Sequence, residues 1–225
     1  MKNLVFIFFL LFVYSLSFAQ TKNSLYINVK DCRTKKQSYV SPNFSLYKDN
    51  VLIRKVNLKN QNSRIFTDLE YGEYKLEYYT LFGSETLTIN ISKNNNNQVI
   101  DLCIDYLDYA AQNHKPIIDK LKNEESYSIL VESSGCFYNN EEKIIITKKG
   151  NAYYLKYKKR KKKLKEKELI AIRHFEIEMI IISQIYFCTT VDTYILTYNN
   201  EETVFIDRGC EWKGFYYLKQ ELNLE

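Results

Sequence analysis

Between residues 24 and 104 the chain runs in short alternating or apolar stretches closed by turn signals, and this punctuation limits the folds open to it more than any other feature. Leu25, Ile27 and Val29 fall on one face of the first stretch, with Ser24, Tyr26, Asn28 and Lys30 on the other. Further runs follow at 44–47, 51–58, 64–67, 73–80, 85–91 and 98–104, parted by Lys-Asp-Asn, Tyr-Gly and a run of four asparagines. Each is a half-buried strand, and many short strands joined by regular turns define a sandwich or a barrel.

The stretch Phe66-Thr67-Asp68-Leu69-Glu70-Tyr71-Gly72-Glu73-Tyr74-Lys75-Leu76 resembles the carboxypeptidase regulatory-like and CnaB-like modules of the transthyretin-like β-sandwich. In that family an aromatic-x-Asp-Leu-x-x-Gly-x-Tyr-x-Leu pattern carries one strand over a turn into the next. Gly72 supplies the positive φ of a tight turn, after which Tyr74 and Leu76 point to one face. Asn43 to Tyr47 and Gln98 to Leu102 sit where the family has its second and last strands. The resemblance implies a transthyretin-like sandwich over 20–104, serving as a spacer, binding unit or stabiliser, since a fold by itself assigns no activity. Some CnaB modules join a Lys to an Asn with help from a buried acid, and Lys30 and Glu77 stand roughly at those places. Lys30 directly precedes Asp31, which turns it to the other strand face, so it is read as a solvated lysine.

The first nineteen residues have a different grammar. Lys2 precedes an apolar run over 4–18, and Ser17 and Ala19 give the small-x-small site that a signal peptidase cuts before Gln20. Residues 1–19 are therefore expected to be an export signal, because the apolar run is shorter than a membrane span and is ended by a small-x-small site. The longest later apolar stretch, 175–187, is broken by Glu176, Glu178, Ser183 and Gln184, so the mature chain is expected to have no transmembrane span. The expected destination is the periplasm or exterior of a bacterium, including the surface of its outer membrane.

Beyond the sandwich, Tyr106, Leu107, Tyr109 and Ala110, then Ile117, Ile118 and Leu121, give a broken helical period with Pro116 suited to a first turn. Residues 105–126 are read as a helical linker. Residues 127–225 read as an α+β unit in the order β-β-β-α-β-β-α. Its helix carries Leu169, Ile172, Phe175 and Met179 as an inward stripe, a hairpin closes around Asn199-Asn200, and a short final helix packs Phe215 and Leu218. Trp212 and Phe215 are read as core rather than as a ligand-stacking pair. The fold class expected for the whole is mainly β, a sandwich followed by an antiparallel sheet with one or two packed helices.

Export permits disulfides, and five cysteines leave one unpaired. Counting outward from the Asn pair places Cys188 nearly opposite Cys210, the first expected bridge. Cys32 and Cys103, ending the first and last sandwich strands, are a second candidate pair. Cys136 is then left over, and with His174 it is the sharpest nucleophile hypothesis, although no orienting acid is identifiable. Cysteine spacings lack the short knuckle of a zinc site, so no metal is expected, and no pattern calls for a cofactor.

Residues 156–167 hold nine bases and one acid. Lys158, Lys159, Arg160, Lys161, Lys162 and Lys163 are the candidates for an anionic polymer or lipid head group, against the plainer reading of a solvated loop. Only Tyr153, Tyr154 and Tyr157 stand near enough to stack bases, so nucleic acid is not the expected partner. The function read from the chain is that of an exported, non-enzymatic protein binding a partner or envelope component. A thiol enzyme using Cys136 and an anion binder using the basic run are the alternatives.

Overall fold

A computed structural model describes residues 23–37, 43–56, 65–94, 97–182, 189–209 and 211–224. The export signal, with Ala19 and Gln20, lies outside them, as do Cys188 and Cys210. Two compact units divide the chain, Met1–Tyr78 with Glu85–Cys103 and Tyr79–Ser84 with Ile104–Glu225. No described helix is long and apolar enough to cross a membrane.

The first unit is a β-sandwich of two four-stranded sheets. In one, β1 (Asn23–Asp31) pairs in parallel with β8 (Asn97–Cys103) and antiparallel with β2 (Lys36–Gln37) and β5 (Ile65–Leu69). The other runs β4-β3-β6-β7, from β3 (Phe44–Lys48), β4 (Val51–Val56), β6 (Gly72–Thr80) and β7 (Gly83–Ile91). Alternation decides what is inside. Leu25, Ile27, Val29, Phe44, Leu46 and Leu76 are fully buried, while the residues between them face outward.

The turn before β6 shows what the motif does. Gly72 has φ +140°, and a Cβ there would lie 3.3 Å from Lys48 Cε. Tyr74 then folds back over the turn, its hydroxyl donating to the Glu70 carbonyl at 3.0 Å, while Lys48 pairs with the Glu70 carboxylate at 2.5 Å. Lys30 faces outward and pairs with Asp101 at 2.6 Å, and Glu77 pairs with Lys75. A disulfide joins Cys32 to Cys103 with Cα atoms 5.3 Å apart.

The second unit is one antiparallel sheet of six strands in the order β12-β11-β10-β9-β13-β14. Its strands are β9 (Ser126–Gly135), β10 (Tyr138–Lys149), β11 (Ala152–Tyr157), β12 (Arg160–Lys163), β13 (Val191–Tyr198) and β14 (Glu201–Asp207). Asn199 and Asn200 take φ of 53° and 63°, the paired left-handed residues of a tight hairpin turn, and the β13–β14 ladder runs from Tyr198 opposite Glu201 to Asp192 opposite Asp207. Helices α1 (Glu166–Ile181) and α2 (Gly214–Glu221) bury Leu169, Ile172, Phe175, Met179, Phe215 and Leu218 in the same cluster as Ile129, Ile144 and Leu196.

Two expectations are corrected. Residues 105–126 form two 3-10 turns, Tyr109–Ala111 and Ile117–Asp119, instead of a helix. Asp108 caps the first turn and Pro116 the second, and the proline biases the residue before it away from helix. The order of the unit is β-β-β-β-α-β-β-α, because Arg160–Lys163 is an edge strand on β11 and not loop. Four consecutive bases give no alternation to read, and lysine on an edge strand also discourages unwanted pairing.

Candidate functional site

Residues directly opposite one another in an antiparallel ladder share a face, so the pairings resolve the helix-covered side of the six-stranded sheet into rows. One row is apolar: Tyr157, Ile144, Ile129 and Leu196. The next is mixed, with Glu142, Val131, Tyr194 and Phe205. The third is polar throughout, with Asn140, Ser133, Asp192 and Asp207. Toward the β9–β10 turn, the inner face therefore stops being a core, and Asn140, Ser133 and Asp192 become the floor of a cleft of about 360 Å³, whereas Asp207, at the end of the row, is buried and does not line it. Trp212 and α2 supply the opposite wall through Phe215, Tyr216 and Lys219, and Tyr138 stands at the side.

Trp212 is held rigidly. Its indole N–H donates to Glu178 Oε2 at 2.9 Å, and its ring lies on Phe175 with centroids 5.6 Å apart and beside Tyr194 at 5.2 Å. Gly214 makes room for it, since a Cβ there would come 2.1 Å from the indole. Such a wall offers a preformed aromatic surface at little entropic cost.

The acids of these two rows differ in what they touch. Burial pushes the Glu142 carboxyl up, but hydrogen bonds from Lys219 (2.7 Å) and from Tyr157 outweigh it and hold the group below the usual range. Tyr157 is itself pushed up to about 12 by burial and by its bond to Glu142. Asp207 is almost wholly buried, and burial with the neighbouring Asp192 charge pushes it up to about 6 against the pull of the Gly209 N–H on Oδ1. Its Oδ2 has no hydrogen-bond partner among the described residues.

Apart from Trp212 and Phe215, the residues singled out from sequence fall elsewhere. Cys136 is a free, exposed thiol in the β9–β10 turn beside a fully exposed Phe137. His174 lies on α1 with its ring stacked on Tyr109 at 3.6 Å, and no hydrogen bond joins it to Cys136. Of the basic run, Lys162 turns inward to Glu168 at 2.6 Å and to the Leu222 carbonyl, and Lys158 lies over the Tyr157 ring. Lys159, Arg160, Lys161 and Lys163 are exposed, with Lys161 directly opposite Lys156. Trp212 and Phe215 are core residues that also line the cleft.

Sequence reasoning passed over Glu142, Ser133, Asp192, Asp207 and Lys219. The signal was parity. Glu142 is in step with Ile144 and Ile146, Asp192 with Tyr194 and Leu196, and Asp207 with Phe205, so each charge stands where an inward residue belongs. Comparison with family models, with curated proteins and with solved structures found no match.

Proposed function

We propose that this chain is an exported binding protein of the bacterial envelope or exterior, and that the cleft of its α+β unit holds the ligand. The observation that carries the reading is the row Asn140, Ser133, Asp192 and Asp207, polar groups placed on the helix-covered face where packing alone calls for apolar ones. Export is supported by the first nineteen residues and by the Cys32–Cys103 pair. The sandwich is read as a transthyretin-like module of the carboxypeptidase regulatory-like and CnaB-like kind, serving as a non-catalytic support. Its turn at Gly72 and Tyr74 is the supporting feature.

Trp212 is the only tryptophan in the chain and lines the cleft, so its emission reports occupancy directly. A chemically diverse library of small molecules is expected to yield compounds that shift this emission and lose the effect in Ser133→Phe, where a ring fills the floor and Trp212 stays the single reporter. Compounds that bind Ser133→Phe equally well, or a library without any such compound, would defeat the reading.

One observation favours a second role on a different surface. Lys156 and Lys161 stand directly opposite each other on β11 and β12, a like-charge pair that costs stability unless solvent or an anion relieves it. Replacing Lys156, Lys161 and Lys163 with Gln leaves the inward Lys162 intact and should abolish retention on vesicles containing phosphatidylglycerol at low salt. Unchanged retention would remove this role.

A further inference from the structure

The charges that line the cleft balance. Two acids, Glu142 and Asp192, stand among its lining residues with two lysines, Lys213 and Lys219. Lys219 and Glu142 pair with each other at 2.7 Å, which leaves Asp192 and Lys213, one charge of each sign, to meet a ligand. A ligand with net charge of either sign would find one of these two unmatched.

The floor presents three polar chemistries in a row. Asn140 stands directly opposite Ser133, and Ser133 directly opposite Asp192, so an amide, a hydroxyl and a carboxylate follow one another across β10, β9 and β13. Neighbouring strands lie about 4.8 Å apart, close to the separation of equatorial hydroxyls on alternate carbons of a hexose ring. The amide and the hydroxyl both donate and accept, the carboxylate accepts, and the Lys213 ammonium donates. A ligand dense in hydroxyl groups can answer all four. A zwitterionic amino acid would use Asp192 and Lys213 and set its carbon skeleton against Asn140 and Ser133, and an apolar ligand would strip water from all four without replacing it.

The walls fit the same ligand. Tyr138 and Tyr216 line the cleft while 56% and 48% exposed, so their rings are open to what enters it. The face of such a ring carries the negative side of its quadrupole and attracts the weakly positive C–H groups on the flat side of a sugar. We propose that the cleft binds an uncharged saccharide, one ring of which is hydrogen-bonded along Asn140, Ser133 and Asp192 and stacked against Tyr216. A volume of about 360 Å³ is at the small end of ligand pockets, which suits a terminal sugar ring better than the middle of a long chain.

The saccharide assignment rests on the cleft being a ligand site, and the two fail differently under test. The full mature protein is titrated with maltose, cellobiose, lactose and N,N′-diacetylchitobiose, with phenylalanine as the zwitterion and cyclohexanol as the apolar ring, followed by calorimetry and by Trp212 emission. At least one disaccharide should bind about tenfold more tightly than phenylalanine or cyclohexanol. Its affinity should change less than about twofold between about 0.05 M and about 0.5 M salt, since no net charge is recognised. Ser133→Ala and Tyr216→Ala, each checked for unaltered melting, should each weaken it about tenfold. Disaccharide binding that ignores both substitutions or falls steeply with salt, or phenylalanine or cyclohexanol bound as tightly as any disaccharide, would overturn the saccharide assignment and leave the cleft reading intact. Silence toward all six probes, with library compounds still bound in a manner sensitive to Ser133→Phe, would overturn it equally. Silence toward probes and library alike would overturn both.

Discussion

Glu176→Ala should destabilise the α+β unit by about 3 to 5 kcal/mol, and Glu176→Gln should stabilise it above neutral pH. Glu176 lies on α1 with 1% of its surface exposed, yet its carboxylate accepts from the Tyr127 hydroxyl and the Ile117 N–H, each at 2.5 Å, and from the Ile118 N–H. Truncation leaves those buried donors without an acceptor, which is the costly way to break such a group. Ionisation is costly as well, because burial pushes the carboxyl up to about 7 against the pull of its three donors.

The direction of the pH dependence follows from that. The folded value lies above the unfolded value of 4.5, so the folded chain holds more protons between the two, and stability falls as pH rises through that window. The loss is complete above about pH 8 and is of the order of 3 kcal/mol. Asp207, raised by its own burial to about 6, adds in the same direction over a lower window. Glutamine keeps an acceptor for the two amides and turns a donor toward Tyr127, whose hydroxyl can reverse, so the variant loses the share of the slope that Glu176 gives between about pH 4.5 and pH 8. Urea denaturation at pH 5 and pH 8, read by the single tryptophan, measures both effects. A wild-type chain equally stable at the two pH values would refute this account of Glu176.

Replacing Cys32 and Cys103 together with Ser should cost the sandwich about 4 kcal/mol, the second large effect. The bridge spans 71 positions, so most of the benefit is the loop entropy it removes from the unfolded chain, which grows slowly with length. It also joins the end of β1 to the end of its parallel neighbour β8, where Lys30 stands opposite Cys103. Melting followed by far-ultraviolet circular dichroism should show the loss, and reduction of the wild-type protein should reproduce it. An unchanged transition in both cases would mean that the bridge adds nothing to the folded state.

Much of the fold was legible because its strands obey simple rules. Leu25, Ile27 and Val29 alternate, and the pairs Asp49-Asn50 and Asn199-Asn200 mark tight turns with left-handed φ. The α1 stripe at Leu169, Ile172, Phe175 and Met179 is equally plain. The rest depended on information absent from local pattern. Arg160–Lys163 is a strand only because β11 offers an open edge, and nothing in four bases says so. The linker failed as a helix because Asp108 and Pro116 each start a turn that ends within three residues. The cleft was hidden for another reason. A charge inside a strand reads as solvent-facing until the register shows that its neighbours across the ladder are charged or polar too, as with Ser133, Asp192 and Asp207. Glu176 and Glu178 were hidden in the same way, since their partners Tyr127 and Trp212 are 49 and 34 residues away.

The most direct test of the central claim, that the α+β unit binds a ligand in this cleft, is a chemical-shift map of the isotopically labelled protein with the tightest library compound. The account predicts perturbations gathered on Ser133, Asn140, Asp192, Gly209 and Lys219, together with the indole N–H of Trp212, which is hydrogen-bonded to Glu178. Perturbations gathered instead on the β11–β12 edge around Lys161, or on the turn at Cys136, would contradict it.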